Sequence, residues 1–271
     1  MIKINLTNKQ IERYSRQIVL KEVGGKGQER LLNSKVTILG LGALGSPTAY
    51  YLAAAGIGNL QLIDFDNVEL SNLHRQILHS TPYINKKKTK SAFETLKNIN
   101  PECEIELVEK KISPANVKEI ITDSDFVIEG SDNMPTKMLI NDACVELEIP
   151  FTIAGILRFH GQILTVIPEK KTTCYRCLFG GIKESPQGMS CSRAGVIGLI
   201  PGVLGCFESM EAIKYLLDVG DLITNKILYV DLLKMSFNFI SVHRNRGCEA
   251  CGEKPRDLIS NYDYGFDKIC H

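Results

Sequence analysis

A glycine-rich turn constrains the fold of this chain more than any other feature of its sequence. The turn occupies residues 40–45, reads Gly-Leu-Gly-Ala-Leu-Gly, and follows a short β-branched run at residues 35–39. Pro47 suits the first turn of a helix, which the pattern ends at Gly56. A second apolar run follows at residues 60–63. Strand, glycine turn, helix and strand in this order predict a Rossmann-type βαβ unit.

The glycines of this turn also predict a nucleotide site. Gly40, Gly42 and Gly45 allow the backbone to approach a phosphate, and the N-terminus of the following helix adds partial positive charge. Asp64, at the tip of the second strand, can accept hydrogen bonds from ribose hydroxyls. The alternative interpretation is close packing of the helix on the sheet without a ligand.

The pattern after this unit predicts an α/β fold with a Rossmann-like, mostly parallel sheet that has helices on both faces. Strand patterns recur at residues 105–108, 126–128 and 151–154. Helical patterns separate them, near residues 88–97, 115–121 and 138–147.

Both ends of the chain extend this unit. Thr7 opens a capping box, so an amphipathic helix is expected from there to Ile18, before a break at Gly24 and Gly25. Longer strands in a hairpin or antiparallel arrangement are expected in the second half, at residues 161–167 and 227–242, with a helix between them at residues 205–217.

A length of 271 residues suits a single compact domain. The expected parts are an N-terminal helical segment (1–30), a nucleotide-binding core (31–170), a part with a crossover loop, antiparallel strands and a metal site (171–252), and a tail (253–271). The tail carries Tyr262, Tyr264 and Phe266, and we expect it to contact a partner or nothing.

The charge balance argues for a local phosphate site. Lys and Arg total 32 against 31 Asp and Glu, so the net charge of +1 gives no reason to expect a nucleic acid or a membrane as partner. No apolar run reaches the length of a membrane span, and the first residues lack the core of a secretory signal. A cytoplasmic location is therefore expected.

The cysteine spacing predicts a structural zinc site. Four of the nine cysteines form two Cys-x-x-Cys pairs, Cys174 with Cys177 and Cys248 with Cys251. Each gap lets both sulfurs face one ion, and two such pairs complete a closed tetrahedral set of thiolates. A redox dithiol fits less well, because neither pair opens a helix in a thioredoxin-like pattern. Core positions are expected for Cys103, Cys144 and Cys206.

Polar residues after the second strand argue against a dinucleotide enzyme. Asn72, Arg75 and Gln76 follow the carboxyl end of that strand, where ligands of open α/β sheets collect. One nearby lysine that faces the glycine turn would meet a triphosphate, and Arg75 would help to neutralise a leaving pyrophosphate. A solvated face is the interpretation for Lys86, Lys87 and Lys90.

These features together resemble one family. The chain is similar to the adenylyltransferases of the MoeB/ThiF (HesA/MoeB/ThiF) type, which activate sulfur-carrier proteins and are bacterial relatives of ubiquitin-activating enzymes. The resemblance extends from about residue 8 to residue 252 and leaves the tail outside. The segments that carry it are residues 13–18, 40–45, 64–66, 70–76, 131–133, 174–177, 191–195, 210–214 and 247–252.

The resemblance implies roles for particular residues. Asp64 would bind the ribose, Lys88 would join the phosphate ligands, and Asp132 would hold magnesium. The full set implied around the nucleotide is Gly40, Gly42, Gly45, Asp64, Asp66, Asn72, Arg75, Gln76, Lys88, Asp132 and Asn133. The implied catalytic residues are Arg16, Arg75, Lys88, Asp132 and Cys191.

Two of these catalytic roles involve more than the nucleotide crevice. Arg16 resembles the residue that a neighbouring subunit inserts toward the triphosphate, which implies a homodimer. Cys191 lies at the end of a loop expected around residues 186–188, and in the family this position either attacks the activated carrier or is dispensable. Arg193 could lower the pKa of Cys191. Covalent participation of Cys191 stays open.

The implied reaction is ATP-dependent adenylylation of the C-terminal carboxylate of a small ubiquitin-like sulfur carrier, MoaD- or ThiS-like, that ends in Gly-Gly. The products would be an acyl-adenylate and pyrophosphate, formed ahead of a thiocarboxylate, with ATP, magnesium and structural zinc as cofactors. A cysteine desulfurase or a rhodanese-like protein is the expected sulfur donor. A ribosomal peptide or a tRNA-directed substrate, an NAD-dependent oxidoreductase and a catalytically silent scaffold are the alternatives.

Histidines are not needed for this chemistry. A carboxylate is already a nucleophile at pH 7, so its attack on the α-phosphorus needs no protein base. His74 lies within residues 70–76 and is expected to face away from Arg75. The remaining histidines lie outside every phosphate motif: His79, His160, His243 and His271.

Overall fold

The computed structural model describes residues 5–181 and 195–266. Within these ranges, eight strands form one sheet in the order β3-β2-β1-β4-β5-β6-β7-β8. The strands are β1 (Lys35–Leu39), β2 (Asn59–Ile63), β3 (Glu104–Val108), β4 (Phe126–Glu129), β5 (Phe151–Leu157), β6 (His160–Val166), β7 (Lys226–Asp231) and β8 (Ser236–Ser241). The helices are α1 (Asn8–Arg13), α2 (Ser15–Ile18), α3 (Gly24–Leu32), α4 (Gly45–Ala55), α5 (Lys88–Ile99), α6 (Val117–Ile121), α7 (Met134–Glu146), α8 (Tyr175–Phe179), α9 (Leu199–Leu217) and α10 (Leu258–Asn261).

The sheet has a parallel half and an antiparallel half. Strands β1 to β5 pair in parallel, and β5 to β8 pair in antiparallel fashion. Strand β1 lies between β2 and β4, so the order of strands reverses beside it. Such a reversal opens a crevice at the carboxyl ends of the strands, where ligands of this fold bind.

Side chains at alternate strand positions pack against helices on the two faces of the sheet. Val36 and Ile38 of β1 belong to a core that includes residues of α4, α5 and α9. Leu39, the next residue of the same strand, belongs to a second core with residues of α7 and α10. This period of two is what a strand buried on both faces requires. The structure therefore confirms the predicted α/β fold with a mostly parallel sheet.

Helix α4 begins and ends at glycines that its packing requires. A Cβ atom on Gly45 would lie 1.9 Å from the carbonyl oxygen of Gly40, so only glycine allows this approach. Gly56 ends the helix in the left-handed region, at φ 89°. A Cβ atom there would lie 2.6 Å from the ring of Tyr14. The N-terminal helices thus pack at the end of α4 that lies farthest from the glycine turn.

Several predicted boundaries differ from those of the structure. The N-terminal segment holds α1, α2 and α3, and Gly24, expected to be a break, instead begins α3 with φ 59°. Helix α7 begins at Met134, because the Asn133 side chain accepts a hydrogen bond from the Thr136 N–H and caps it. The range 227–242 divides into two strands that pair as a hairpin, one of the two expected arrangements, because the Asp231 side chain accepts hydrogen bonds from the next loop and turns the chain. Helix α9 begins six residues earlier than expected, at Leu199.

The described part of the tail packs on its own chain. Leu258, Ile259 and Tyr264 are buried in the core beside α7. The Tyr264 hydroxyl donates to Asp142 Oδ2 at 2.7 Å, and Asp142 also pairs with the buried guanidinium of Arg176. The expectation that the tail contacts a partner or nothing is therefore wrong for residues 253–266. Its apolar side chains cover the end of the core next to α8.

No helix in residues 5–181 or 195–266 combines the length and the hydrophobicity needed to cross a membrane.

Candidate nucleotide site and metal centre

The candidate nucleotide site lies where the carboxyl ends of β1, β2 and β4 meet. The Gly40 N–H donates to the Ile63 carbonyl at 2.8 Å, and the Gly130 N–H donates to the Leu39 carbonyl at 2.9 Å. Gly40 has φ 87°, and a Cβ atom there would lie 3.0 Å from the Gly130 carbonyl oxygen. Glycine at this position therefore allows the three strand ends to come together.

Asp64 holds the glycine turn at the end of β2. Its Oδ2 accepts the Leu41 N–H at 2.8 Å, and its Oδ1 accepts the Asp66 N–H at 2.8 Å. Only 8% of Asp64 is exposed. A carboxylate has about four acceptor positions, so both oxygens keep capacity for further donors such as ribose hydroxyls.

Among the lysines of residues 86–90 near this edge of the sheet, Lys88 is the buried one. It begins α5 and is buried, and its Nζ pairs with Asp66 Oδ2 at 3.0 Å. Lys86 and Lys90 are exposed, as the solvated-face interpretation requires. Lys87 is half-buried, and its Nζ donates to the Phe65 carbonyl at 2.7 Å. Lys88 and Asp66, both predicted nucleotide ligands, therefore contact each other directly.

The segment 70–76 forms a compact turn beside the glycine turn. Asn72 is buried and its Oδ1 accepts the Glu69 N–H at 3.2 Å. Gln76 is also buried, and its Oε1 has no hydrogen-bond partner within the described residues. A Cβ atom on Gly42 would lie 3.7 Å from Gln76 Nε2, so this amide faces the turn. Gln76 thus has an unused acceptor close to the predicted phosphate position.

Arg75 is half-buried and held by two contacts. Its Nη1 donates to the Ser71 carbonyl at 2.8 Å and lies 2.8 Å from His74 Nε2. The expectation that His74 faces away from Arg75 is wrong, because the turn brings the two adjacent side chains together. The remaining donors of the guanidinium are available to an anion.

The turn after β4 carries Asp132, which is exposed at the same edge of the sheet. Sequence reasoning missed what fixes this turn: a buried ion pair between Glu129 and Lys137. Glu129 Oε1 accepts the Ser131 N–H at 3.0 Å, and Lys137 Nζ also donates to the Ala154 carbonyl at 2.7 Å. Burial raises the pKa of Glu129, and the Lys137 ammonium opposes that rise. The sequence signal for this ion pair is that Glu129 is an acid at the end of an otherwise apolar strand.

The described chain does not bring Arg16 into this crevice. Arg16 is exposed on α2, where neighbouring Gln17 donates from Nε2 to the Ala55 carbonyl at 2.9 Å. Ala55 ends α4, and the 11 residues of that helix span about 16 Å from the glycine turn. Cys191 lies outside the described residues, as does the loop expected around residues 186–188.

The second candidate site is a cluster of four cysteine sulfurs. Cys174, Cys177, Cys248 and Cys251 have Sγ atoms that all lie within 4.8 Å of one another. Cys174 Sγ is 3.7 Å from the sulfurs of both Cys177 and Cys248, and Cys177 Sγ is 3.3 Å from Cys251 Sγ. A tetrahedral zinc ion with bonds of about 2.3 Å sets its sulfurs about 3.8 Å apart. The arrangement therefore fits the predicted zinc.

Hydrogen bonds among the four sulfurs shift their pKa values in opposite directions, raising the pKa of Cys174 and favouring the thiolate at Cys177. A hydrogen bond with Cys174 lowers the pKa of the Cys177 thiol, and the Asn245 N–H, which donates to Cys177 Sγ at 3.4 Å, lowers it further. Cys174 precedes α8, and Cys248 and Cys251 follow β8. An ion held by these sulfurs would therefore join two segments that are more than 70 residues apart in sequence, as the hydrogen-bonded cysteine pairs already indicate.

Comparison with known proteins identifies the family. The chain belongs to the ThiF family, whose model matches residues 14–250. It is 40% identical over 261 residues to the SAMP-activating enzyme E1 of Haloferax volcanii, and the match covers 96% of each chain. It is 39% identical to the sulfur carrier protein adenylyltransferase of Thermus thermophilus, over 93% of this chain and 96% of that protein.

Two further relatives extend the comparison. The adenylyltransferase and sulfurtransferase MOCS3 of Sus scrofa is 41% identical over 93% of this chain, which spans only 56% of that protein. Among solved structures, Escherichia coli MccB with ATP superimposes with a TM-score of 0.75 at 25% identity, over 88% of this chain and 74% of that chain. These relatives confirm the resemblance drawn from the sequence segments.

We predict that the protein purified without chelator contains about one zinc ion per chain. The variant Cys248→Ser should lose most of this metal, because one of four thiolate ligands is removed. Cys206→Ser should keep it, because Cys206, expected in the core but half-buried on α9, lies outside the cluster. Elemental analysis by mass spectrometry measures both. A wild-type protein without zinc, or full zinc in Cys248→Ser, would contradict the assignment.

Proposed function

We propose that this chain, an ATP-dependent adenylyltransferase of the ThiF family, adenylylates the C-terminal carboxylate of a small ubiquitin-like sulfur carrier of the MoaD or ThiS type. One observation carries the proposal: the glycine turn, Asp64, the inward-facing Lys88 and the Arg75 turn converge on the edge of the sheet where the strand order reverses. The names of the relatives, which include a sulfur carrier protein adenylyltransferase, agree with it.

In the proposed reaction, the carrier carboxylate attacks the α-phosphorus of ATP. A bond forms between a carboxylate oxygen and this phosphorus, and the bond from the phosphorus to pyrophosphate breaks. Because the carboxylate is ionised at pH 7, no protein group has to remove a proton. The protein therefore accelerates the step by positioning the two anions and by neutralising their charge.

The contacts of Lys88 and Arg75 suit this task. The Lys88 ammonium has three donors, and its bond to Asp66 holds it in place while two donors stay available for phosphate oxygens. Arg75 donates one hydrogen bond from its guanidinium to the Ser71 carbonyl, and the remaining N–H donors are available to an anion. Both cations are thus oriented before ATP binds, so little reorganisation is needed.

Asp132 is the proposed magnesium ligand. Its exposed carboxylate is a hard oxygen donor at the edge of the crevice, which is the kind of ligand that magnesium takes in phosphate sites. Magnesium, when bound, neutralises charge on the phosphate oxygens. The Glu129 and Lys137 pair keeps the turn before Asp132 fixed through the Ser131 N–H.

The proposed fate of the acyl-adenylate is conversion to a thiocarboxylate. The sulfur would come from a donor protein such as a cysteine desulfurase or a rhodanese-like protein. The proposed compartment is the cytoplasm, where thiols stay reduced and available to a metal. A ribosomal peptide is the second candidate acceptor, because MccB, which shares this fold, has been solved in complex with MccA.

A homodimer in which Arg16 serves the neighbouring subunit completes the proposal. Arg16 is exposed beside the end of α4 that is farthest from the glycine turn, so it cannot serve its own crevice through the described fold. An exposed arginine at this position suits a role in a site formed by a second copy.

We predict that Arg75→Ala, Lys88→Ala and Asp132→Ala each lower ATP–pyrophosphate exchange by about 100-fold, because each removes a preorganised charged group worth on the order of 3 kcal/mol in the transition state. The assay uses purified carriers with Gly-Gly ends. Lys90→Ala is the matched control, since Lys90 is exposed on the same helix as Lys88. Exchange at the wild-type rate in all three site variants would contradict the assignment.

The proposed dimer predicts complementation between two inactive variants. When Arg16→Ala and Asp132→Ala subunits are allowed to exchange, each mixed dimer contains one intact site, so exchange activity should return to roughly a quarter of the wild-type value. Arg75→Ala mixed with Asp132→Ala is the control, because every site then keeps one defect. Absence of recovery after proven subunit exchange would refute the role of Arg16 across the interface.

A further inference from the structure

His79 lies outside the phosphate motifs of the sequence, yet the fold brings it against the glycine turn. Its Nε2 is 2.9 Å from the Leu41 carbonyl oxygen, and its Nδ1 is 3.0 Å from Ser91 Oγ. The side chain is 5% exposed, so water does not satisfy either nitrogen. A buried histidine with two specific partners is oriented by them.

These partners define which nitrogen carries the proton. A carbonyl oxygen can only accept a hydrogen bond, so Nε2 must donate to Leu41, and in a neutral ring Nδ1 then accepts from the Ser91 hydroxyl. Burial lowers the pKa of His79, and the nearby Lys88 ammonium lowers it further against the opposing hydrogen bond to Leu41. The ring is therefore neutral at pH 7, with the proton on Nε2.

Leu41 is fixed through both of its backbone groups. Its N–H donates to Asp64 Oδ2 at 2.8 Å and its carbonyl accepts from His79, while its side chain is fully buried. In a trans peptide, the C=O of one residue and the N–H of the next point in opposite directions. Anchoring the Leu41 carbonyl on His79 therefore directs the Gly42 N–H away from His79.

The Gly42 N–H is the group that this anchor orients. Within the described part of the chain it has no hydrogen-bond acceptor, although the Gly42 carbonyl accepts the Ser46 N–H at 3.0 Å. Because glycine tolerates a wide range of backbone angles, the Leu41–Gly42 peptide could rotate if its carbonyl were not held. A rotated peptide would present a carbonyl oxygen where a phosphate needs a donor.

The other side of the ring connects the turn to the helix of Lys88. Ser91 is fully buried on α5, three residues after Lys88. His79 thus joins the glycine turn and the first turn of α5 through a single rigid ring.

We propose that His79 is a positioning residue for ATP: its Nε2–H holds the Leu41–Gly42 peptide so that the Gly42 N–H faces the phosphates, and its Nδ1 fixes α5 relative to the glycine turn. This inference rests on the proposed function. It adds a neutral histidine, which contacts no reacting atom, to the groups on which nucleotide binding depends.

Two substitutions separate the two hydrogen bonds. In His79→Gln the amide nitrogen is as many bonds from Cβ as Nε2 and can donate to the Leu41 carbonyl. In His79→Asn the amide reaches only as far as Nδ1, so the Ser91 contact survives and the Leu41 contact is lost. The two variants are closely matched in polarity.

We predict that His79→Asn binds ATP about 10-fold more weakly than wild type, the factor expected for loss of one hydrogen bond, and that His79→Gln stays within about 3-fold. Isothermal titration calorimetry measures the affinity, and pyrophosphate exchange should show the loss mainly in KM for ATP. Urea unfolding controls for a general loss of stability. Equal ATP affinity in all three proteins, or an equal loss in both variants, would overturn the proposal.

The wild-type protein provides a measurement that does not depend on variants that fold. Imidazole nitrogen chemical shifts at pH 7 should report a neutral His79 with the proton on Nε2, whereas a proton on Nδ1 alone would overturn the proposal. The proposed function is tested separately from the role of His79. If the wild-type protein binds ATP but none of the carriers supports pyrophosphate exchange, adenylylation is refuted. The comparison of ATP affinities then still decides the role of His79. Wild-type protein that binds no ATP refutes both.

Discussion

The close approach of α4 to the end of β1 is the constraint on which the rest of the structure depends. A side chain on Gly45 would overlap the Gly40 carbonyl oxygen, with a Cβ only 1.9 Å away. With glycine there, the chain leaves the strand and enters the helix in a turn that exposes backbone N–H groups at the edge of the sheet. The neighbouring strands β2 and β4 then deliver Asp64 and the Asp132 turn to that edge.

Polar contacts, most of them between buried groups, hold this edge in one arrangement. Asp64 binds the N–H of Leu41, Asp66 pairs with Lys88, and Glu129 pairs with Lys137 below the Asp132 turn. Each contact fixes backbone or a charged group that would otherwise have to be ordered when a triphosphate binds. Preorganisation of this kind is the main source of catalysis when the nucleophile needs no base.

Much of this could be predicted from sequence because the signals are local. The βαβ unit follows from glycine, proline and apolar spacing, and the cysteine cluster follows from two short gaps. The misses are contacts between distant residues. The tail was expected to contact a partner or nothing, but Tyr264 donates to Asp142, which is 122 residues away. Likewise, no local sequence pattern predicts the contact between His79 and Leu41. The only sequence signal for the ion pair of Glu129 is that an acid occurs within an apolar strand.

Mass spectrometry of the acceptor protein tests the central claim most directly. When the enzyme, magnesium, ATP and a purified carrier ending in Gly-Gly are combined, the carrier should gain the mass of one AMP as an acyl-adenylate at its C-terminus. Hydroxylamine should remove this AMP, as expected for an acyl-adenylate. A carrier lacking the last glycine should gain none. Absence of the adduct from every ubiquitin-like carrier of the source cell, with ATP binding intact, would contradict the account.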